Sequence, residues 1–382
     1  MTRQVGVGII GCGARVTGLA RALKSRFSEV EVVALSDSSA ESIRGARERL
    51  NPDAVVFNDF RELCAADGVD WVMVGSWNAF HREHSVCALQ AGRHVFCEKP
   101  LATTLDDCLA IRDAQVASNR IFSLGLTLRY AALYRRISEL LKAGGIGELI
   151  SFEFNENLGF NHGGYIHADW RRKTEYAGSH VLEKCCHDID LANWFVGRRV
   201  KRVASFGGND FFVPKNAHQV ERIGKSPRGD AAFSSWRSRE QQQALSPFND
   251  DKDIVDNQVC ILEYEGGVRA TFHTNCCAGI VERRMLLLGG EGAIRADLIP
   301  GAVEHRRLGW DEPTTVYQDP GGGHGDGDTL LIETLGASML RGAPPEASVE
   351  HGLNSALVCF GIDQALETGE VVDLGPLWKR AR

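Results

Sequence analysis

The opening of the chain constrains the fold most: the apolar run VGVGII (residues 5–10) ends in GCGAR and passes directly into the helix-like TGLARALKSRF. A buried strand that hands over to a helix through glycines can turn tightly and leave the helix N-terminus, with its free N–H groups and positive dipole end, open to an anionic ligand. The alternation then repeats. VEVVALS ends on Asp37 and precedes AESIRGARERL, VDWVMVGS precedes HREHSVCALQAG, HVFCEKP precedes LDDCLAIRDAQVAS, and IFSLGL closes the series. Strands separated by helices of about ten to fifteen residues predict an α/β Rossmann domain with a doubly wound parallel sheet over residues 1–125.

From about residue 148 the pattern changes to longer alternating strands, among them ELISFEFNEN, DNQVCILEYEGGVRATFHTNC and RRMLLLGGEGAIRADL, with GG turns between them. These predict a second, α+β domain over residues 126–382 whose sheet is largely antiparallel and open on one face. Residues 180–196 read as one amphipathic helix. Residues 208–255 read as an irregular polar excursion, either a surface loop or an arm ordered by a partner. Two late helices are expected over 328–341 and 350–367, the last placed to pack back on the first domain.

Composition narrows the function classes. The net charge of −7 comes without a block of Lys and Arg, which excludes nucleic acid as the main partner. No apolar run approaches the roughly 20 residues that span a bilayer, and the start turns at once into the strand-and-glycine pattern, so a cytoplasmic location is expected. The eleven cysteines form no CxxC pair and predict reduced thiols and no metal site.

Gly11 and Gly13, followed by Ala14 and Arg15 at the helix start, are the candidate pyrophosphate cradle. The third glycine of the usual fingerprint is replaced by Val16. Asp37, some twenty residues on, is suited to accept bonds from ribose hydroxyls and to repel a 2′-phosphate, which points to NAD. The same aspartate also fits a helix N-cap in DSSAE.

The segment 75–102, GSWNAFHREHSVCALQAGRHVFCEKPLA, resembles the Gfo/Idh/MocA family of sugar and cyclitol oxidoreductases. The resemblance continues through GLTLRYAALY, GGIGEL, GSHVLEKCCHDIDLANW and GGGHGDGDTL, and so covers essentially the whole chain. It implies cofactor contacts from Ser76, Trp77, Asn78, His81, Glu98 and Lys99. It also implies catalysis by Lys99 and His187: oxidation of a secondary alcohol needs a base for the hydroxyl proton and a cation beside the developing alkoxide. Where the family pattern is D-x-G-x-H-x-x-D, this chain reads EKCCHDID, so Glu183 stands for the aspartate as a candidate proton relay, and Asp190 is a candidate for a substrate hydroxyl. Arg129, Tyr130, Tyr165, His167, Trp170 and Arg171 supply the polar and aromatic mixture of a carbohydrate pocket. His324 sits in a glycine-rich loop able to bend over the substrate, and Cys185 and Cys186 read as helix packing residues.

The resemblance implies an NAD-dependent dehydrogenase acting on a secondary alcohol or ketone of a sugar, glycoside or cyclitol. Two alternatives share the fold: a glycosidase or lyase that retains NAD and oxidises transiently, and a non-catalytic sugar or NAD sensor, against which the presence of both Lys99 and His187 speaks. Relatives bury the open sheet face against another subunit, so a homodimer or homotetramer is expected.

Overall fold

A computed structural model describes residues 4–234 and 245–382. The short apolar runs of the first third form six parallel strands, β1 (Val5–Ile10), β2 (Val30–Ser36), β3 (Val55–Val56), β4 (Trp71–Val74), β5 (His94–Cys97) and β6 (Phe122–Leu124), in the order 3-2-1-4-5-6. Every residue of β1 and β4 is buried, as expected of strands covered on both faces. The strand order reverses between β1 and β4, and in open α/β sheets ligands bind beyond the strand ends at that point. The glycine turn after β1 and Gly75–Ser76 after β4 both lie there.

The longer strands form a second sheet of nine strands among the described residues. They are β7 (Leu149–Gly159), β8 (Val200–Gly208), β9 (Asn257–Tyr264), β10 (Arg269–Ala278), β11 (Arg284–Gly289), β12 (Gly292–Asp297), β13 (Ala302–Arg307), β14 (Thr315–Gln318) and β15 (Val372–Asp373), in the order 14-13-12-11-7-10-9-8-15. Only the β7–β10 pairing is parallel. β9 and β10 alternate buried and exposed residues, so one face is packed while the other shows Phe206 opposite Val259, with Ile261 two residues along β9.

The chain forms two compact units, one of residues up to Ala131 with Asp326–Ala356, the other of Ala132–Gly325 with Leu357–Arg382. The sequence reading put everything after residue 125 in the second domain. Instead, the stretch from Asp326 joins the first unit through the Arg15–Asp328 and Arg26–Glu333 ion pairs, and through glycines without room for a Cβ: Gly336 against Phe27, and Gly352 against Leu124 and Leu101.

Two local expectations are corrected. Residues 180–196 are two helices, His180–Glu183 and Cys186–Val196, with a break at Lys184 and Cys185. The excursion at 208–255, of which residues 235–244 lie outside the described residues, is no mere surface loop. Phe212, Phe233 and Phe248 are at most 1% exposed and pack with Leu158, Ile166, Ile254 and Cys276. The Asp256 carboxylate fastens its start by accepting from the backbone N–H groups of Asp210, Phe211 and Phe212 at 3.1, 2.7 and 2.8 Å. Three phenylalanines spread over 37 residues leave no periodic signal in sequence, yet together they form a core.

Among the described residues no helix is long and apolar enough to cross a membrane, and no group of three His, Cys, Asp or Glu side chains is arranged to hold a metal ion. All eleven cysteines are free.

Candidate active site

The glycine turn of the first unit is shaped by two close approaches. Gly11 has φ +82°, and a Cβ there would collide with the Ser76 backbone N. Gly13 is the N-cap of the helix Ala14–Arg26, and no side chain caps that helix, so its first-turn N–H groups stay available to an anion. Val16, in place of the third glycine, is accommodated from the other side: a Cβ on Gly75 would lie 2.6 Å from Val16 Cγ1. The space that the fingerprint normally keeps on the helix is kept here at the end of β4.

Asp37 is half-buried just past the end of β2. Its Oδ2 accepts from Cys12 N at 2.6 Å and its Oδ1 from Ser39 N at 2.7 Å. It is not the N-cap of the next helix, Ala40–Arg49; Ser39 is, accepting from Ser42 N at 3.2 Å. Each carboxylate oxygen keeps acceptor capacity beyond its one backbone bond. An uncapped helix start, a turn that only glycine fits and a carboxylate at the end of β2 suit a dinucleotide.

Other expected cofactor contacts carry structural duties. The Arg15 guanidinium grips Asp328 through both terminal nitrogens at 2.7 and 2.8 Å and also bonds Glu98 Oε1 at 3.1 Å and Thr127 Oγ1 at 2.9 Å. Arg15 and Glu98 therefore face each other, and Arg15 can serve an anion through its backbone N–H. The His81 ring is fully buried, with Nδ1 2.8 Å from the Pro100 carbonyl oxygen and Nε2 3.1 Å from that of Ser76. Burial lowers its pKa, and the ring spans the segment after β4 and the loop after β5, donating to one of the two carbonyls when neutral. Asn78 is buried, Trp77 is 41% exposed, Ser76 Oγ lies 2.9 Å from His84 Nδ1, and Lys99 is half-buried in the loop after β5. Arg129 and Tyr130 are buried in this same unit, where the Tyr130 hydroxyl accepts from Ala347 N at 3.3 Å. That duty is internal, unlike the substrate contact expected.

In the second unit, Arg171 organises a polar cluster. Its Nε donates to Glu183 Oε1 at 3.1 Å, and its Nη1 to Tyr165 OH at 2.7 Å and Asp169 Oδ1 at 2.8 Å. The guanidinium stacks 4.3 Å from the Trp170 ring centroid and 5.0 Å from that of Tyr165. Glu183 is thus held by an arginine, and the short helix that carries it ends before the helix that carries His187 begins. The end of the 208–255 excursion holds the residues that follow Arg171: Thr174 donates to Asp253 from N at 2.8 Å and from Oγ1 at 2.9 Å, and Arg172 donates to the Asp251 carbonyl at 3.0 Å. Asp169, two residues before Arg171, gave no signal in sequence.

His187 is 4% exposed in the first turn of the helix Cys186–Val196, with its ring centroid 6.1 Å from that of His324. Asp190, 2% exposed, follows on the same helix. His167 is fully buried and stacks on Phe212 at 4.4 Å, and burial holds its pKa well below the ordinary value; the ring packs against the aromatic core.

Around the break run two further buried arrangements. Arg283 holds Asp188 by two bonds, Nε–Oδ1 at 2.8 Å and Nη2–Oδ2 at 2.6 Å, and its Nε also lies 2.5 Å from Glu156 Oε2; Lys184 Nζ meets Glu156 Oε1 at 2.9 Å. Burial raises the Asp188 carboxyl to about 6 against the pull of Arg283, whereas Arg283 and Lys184 outweigh burial at Glu156 and hold it below the usual range. Ser179, the N-cap of His180–Glu183, donates to Asp363 Oδ2 at 2.7 Å, and burial pushes that carboxyl up to about 7.

A dinucleotide cradle on a 3-2-1-4-5-6 sheet, with a second sheet unit carrying a buried histidine and a half-buried polar cluster, defines a two-unit nucleotide-dependent oxidoreductase. Residues 5–126 match the oxidoreductase family with NAD-binding Rossmann fold, and residues 134–295 match the GFO/IDH/MocA C-terminal domain. The chain belongs to the GFO/IDH/MocA oxidoreductase family, and its first unit is the family's NAD-binding domain. It is 34% identical to an inositol 2-dehydrogenase of Gluconacetobacter diazotrophicus over 196 residues, 50% of this chain and 54% of that protein. The chain thus spans about half the length of the inositol dehydrogenases it matches. A Bacillus subtilis protein named as an oxidoreductase, YteT, is 24% identical over 97% of this chain and 98% of its own. In fold, the chain is similar to levoglucosan dehydrogenase solved with NADH and levoglucosan, at TM-score 0.80 and 18% identity over 98% of this chain and all of the other.

Proposed function

We propose that the chain is a cytoplasmic NAD-dependent dehydrogenase that oxidises a secondary alcohol of a sugar, glycoside or cyclitol, or reduces the corresponding ketone. The observation that carries this reading is that the second unit holds both buried His187, with the His324 ring 6.1 Å away, and the Arg171–Glu183–Asp169–Tyr165 cluster. A histidine titrates near neutrality, and a cluster of fixed donors and acceptors suits hydroxyl groups. The names of the relatives, inositol 2-dehydrogenase and levoglucosan dehydrogenase, support the same substrate class.

NAD is held by Gly11, Gly13, Ala14 and the backbone of Arg15 at the helix start, by Asp37 at the ribose, and by Ser76, Trp77, Asn78 and Lys99. Bound NAD supplies the hydride acceptor. His187 takes the hydroxyl proton at a ring nitrogen, and the ammonium of Lys99 stabilises alkoxide character on the substrate oxygen. Arg171 and Tyr165, with Trp170, Asp190 and His324, bind and orient hydroxyls, and Glu183 acts through Arg171. Asp37 favours NAD over NADP, because its charge repels a 2′-phosphate. The exposed Phe206, Val259 and Ile261 support association of two or four chains through the outer sheet face.

The test is a screen of sugars, cyclitols and their keto derivatives at the nicotinamide absorbance with NAD and NADP in parallel. On the substrate found, His187→Asn is expected to lower kcat by about a hundredfold to ten-thousandfold with NAD affinity unchanged. Near wild-type kcat in that variant removes His187 as the base, and tighter binding of NADP than NAD removes the role given to Asp37.

A further inference from the structure

The four-charge network beside His187 has no part in the chemistry just described. Its members come from three places: Glu156 on β7, Arg283 immediately before β11, and Lys184 and Asp188 on the two sides of the helix break. Their side chains are 5%, 4%, 12% and 1% exposed, and the two cations balance the two anions. Desolvating such a set costs several kcal/mol per ion, and well-packed apolar residues of the same volume often give equal or better stability. Stability alone therefore does not account for it. Apolar residues could not supply directional grips at both ends of the five-residue stretch Lys184–Asp188, which contains His187 and lies where the regular helix is interrupted.

Resting on the reading of His187 as the proton acceptor, we propose that Arg283 is a positioning residue that, through Asp188 on one side and Glu156 with Lys184 on the other, fixes the helix start presenting His187. The grip on Asp188 is two-pronged, Nε and Nη2 each meeting a separate carboxylate oxygen, and so sets orientation as well as distance. A lysine would keep the charge and lose the fork. Asp188 also lies in the first turn of the helix Cys186–Val196, where a carboxylate is favoured by the helix dipole. The network thus holds the backbone on both sides of His187 to β7 and to the start of β11, and a ring so held keeps one orientation toward its substrate.

The test compares full-length wild type with Arg283→Lys and Asp188→Asn, and with the double variant. Each single change is expected to lower kcat by about ten- to a hundredfold, the scale of a reacting group displaced by about 1 Å, while substrate KM and NAD affinity stay within about threefold. The double variant is expected to be no worse than the poorer single, because the two residues act as one unit. Variants that fold, bind NAD and keep kcat within about twofold of wild type overturn the proposal, as does a loss confined to thermal stability. A second readout needs no turnover. In the NMR spectrum of the NAD-bound protein, the His187 ring is expected to give one Cε1–H signal in wild type and a shifted or split one in Arg283→Lys; an unchanged signal overturns the proposal. If His187→Asn itself keeps wild-type kcat, the functional reading fails, and the ring signal still decides whether Arg283 holds this histidine.

Discussion

Arg15 and Arg283 are built alike and placed differently. Each holds an aspartate by a two-pronged grip and a glutamate by its Nε, Arg15 with Asp328 and Glu98 in the first unit, Arg283 with Asp188 and Glu156 in the second. The side chains of Arg15 and Asp328 are 36% and 42% exposed, those of Arg283 and Asp188 only 4% and 1%. Water screens the first pair and can solvate whatever is left if one partner goes. The second has no such refuge. One constellation of residues therefore works as a tether in one unit and as a rigid frame in the other, and burial decides which.

The comparison breaks if the two arginines respond alike. Arg283→Met should lower the unfolding free energy by about 3–5 kcal/mol, since Asp188 and Glu156 lose their partner and must stay buried as unpaired charges or take up protons; denaturant titration at neutral pH measures it, and a loss below about 1 kcal/mol would mean that water reaches the site. Asp363 sharpens the comparison, being a buried carboxyl that has the Ser179 hydroxyl where Asp188 has an arginine. Its pKa rises from 3.8 in the unfolded chain to about 7 in the fold, so its contribution to stability is fully present below about pH 4 and lost as pH climbs through 7. At about 1.36 kcal/mol per unit, the loss is at most about 4 kcal/mol. Asp363→Asn should flatten the fall in stability between pH 4 and 7; a slope like that of wild type would assign the fall to other groups. The smallest effect belongs to Arg15→Met, expected to cost about 1 kcal/mol or less and to shrink further in high salt. A salt-independent loss matching that of Arg283→Met would erase the distinction.

The first unit was legible because its signals are local. Apolar runs of four to seven residues, glycine at the first turn and Asp37 after β2 are all readable within some forty residues, and they give the sheet and the cofactor side. Much of the second unit is specified at long range. The break before His187 was invisible because EKCCHDID is acceptable helix sequence, and its context is set by Glu156 and Arg283, some thirty and a hundred residues away. Glu183 is gripped by Arg171, twelve residues back, a contact that no local spacing announces. Polar composition hid the aromatic core of the 208–255 excursion. It also made His167 look like a pocket residue, when its ring lies flat on Phe212.

The exchange between Val16 and Gly75 sets an order for change in this lineage. With Val16 present, any side chain at 75 strikes its methyl groups, so every first step at 75 is blocked. A first step at 16 to glycine instead opens a hole between helix and strand, costing about 1 kcal/mol or more, which a later Gly75→Ala would partly refill; alanine at 16 does not suffice, because the Val16 Cβ itself lies 2.7 Å from a Cβ at 75. The open route therefore runs through position 16 first. Descendants of such a chain should carry either a bulky residue at 16 with glycine at 75 or glycine at 16 with a small residue at 75, and the two columns should vary together even though neither residue touches the chemistry.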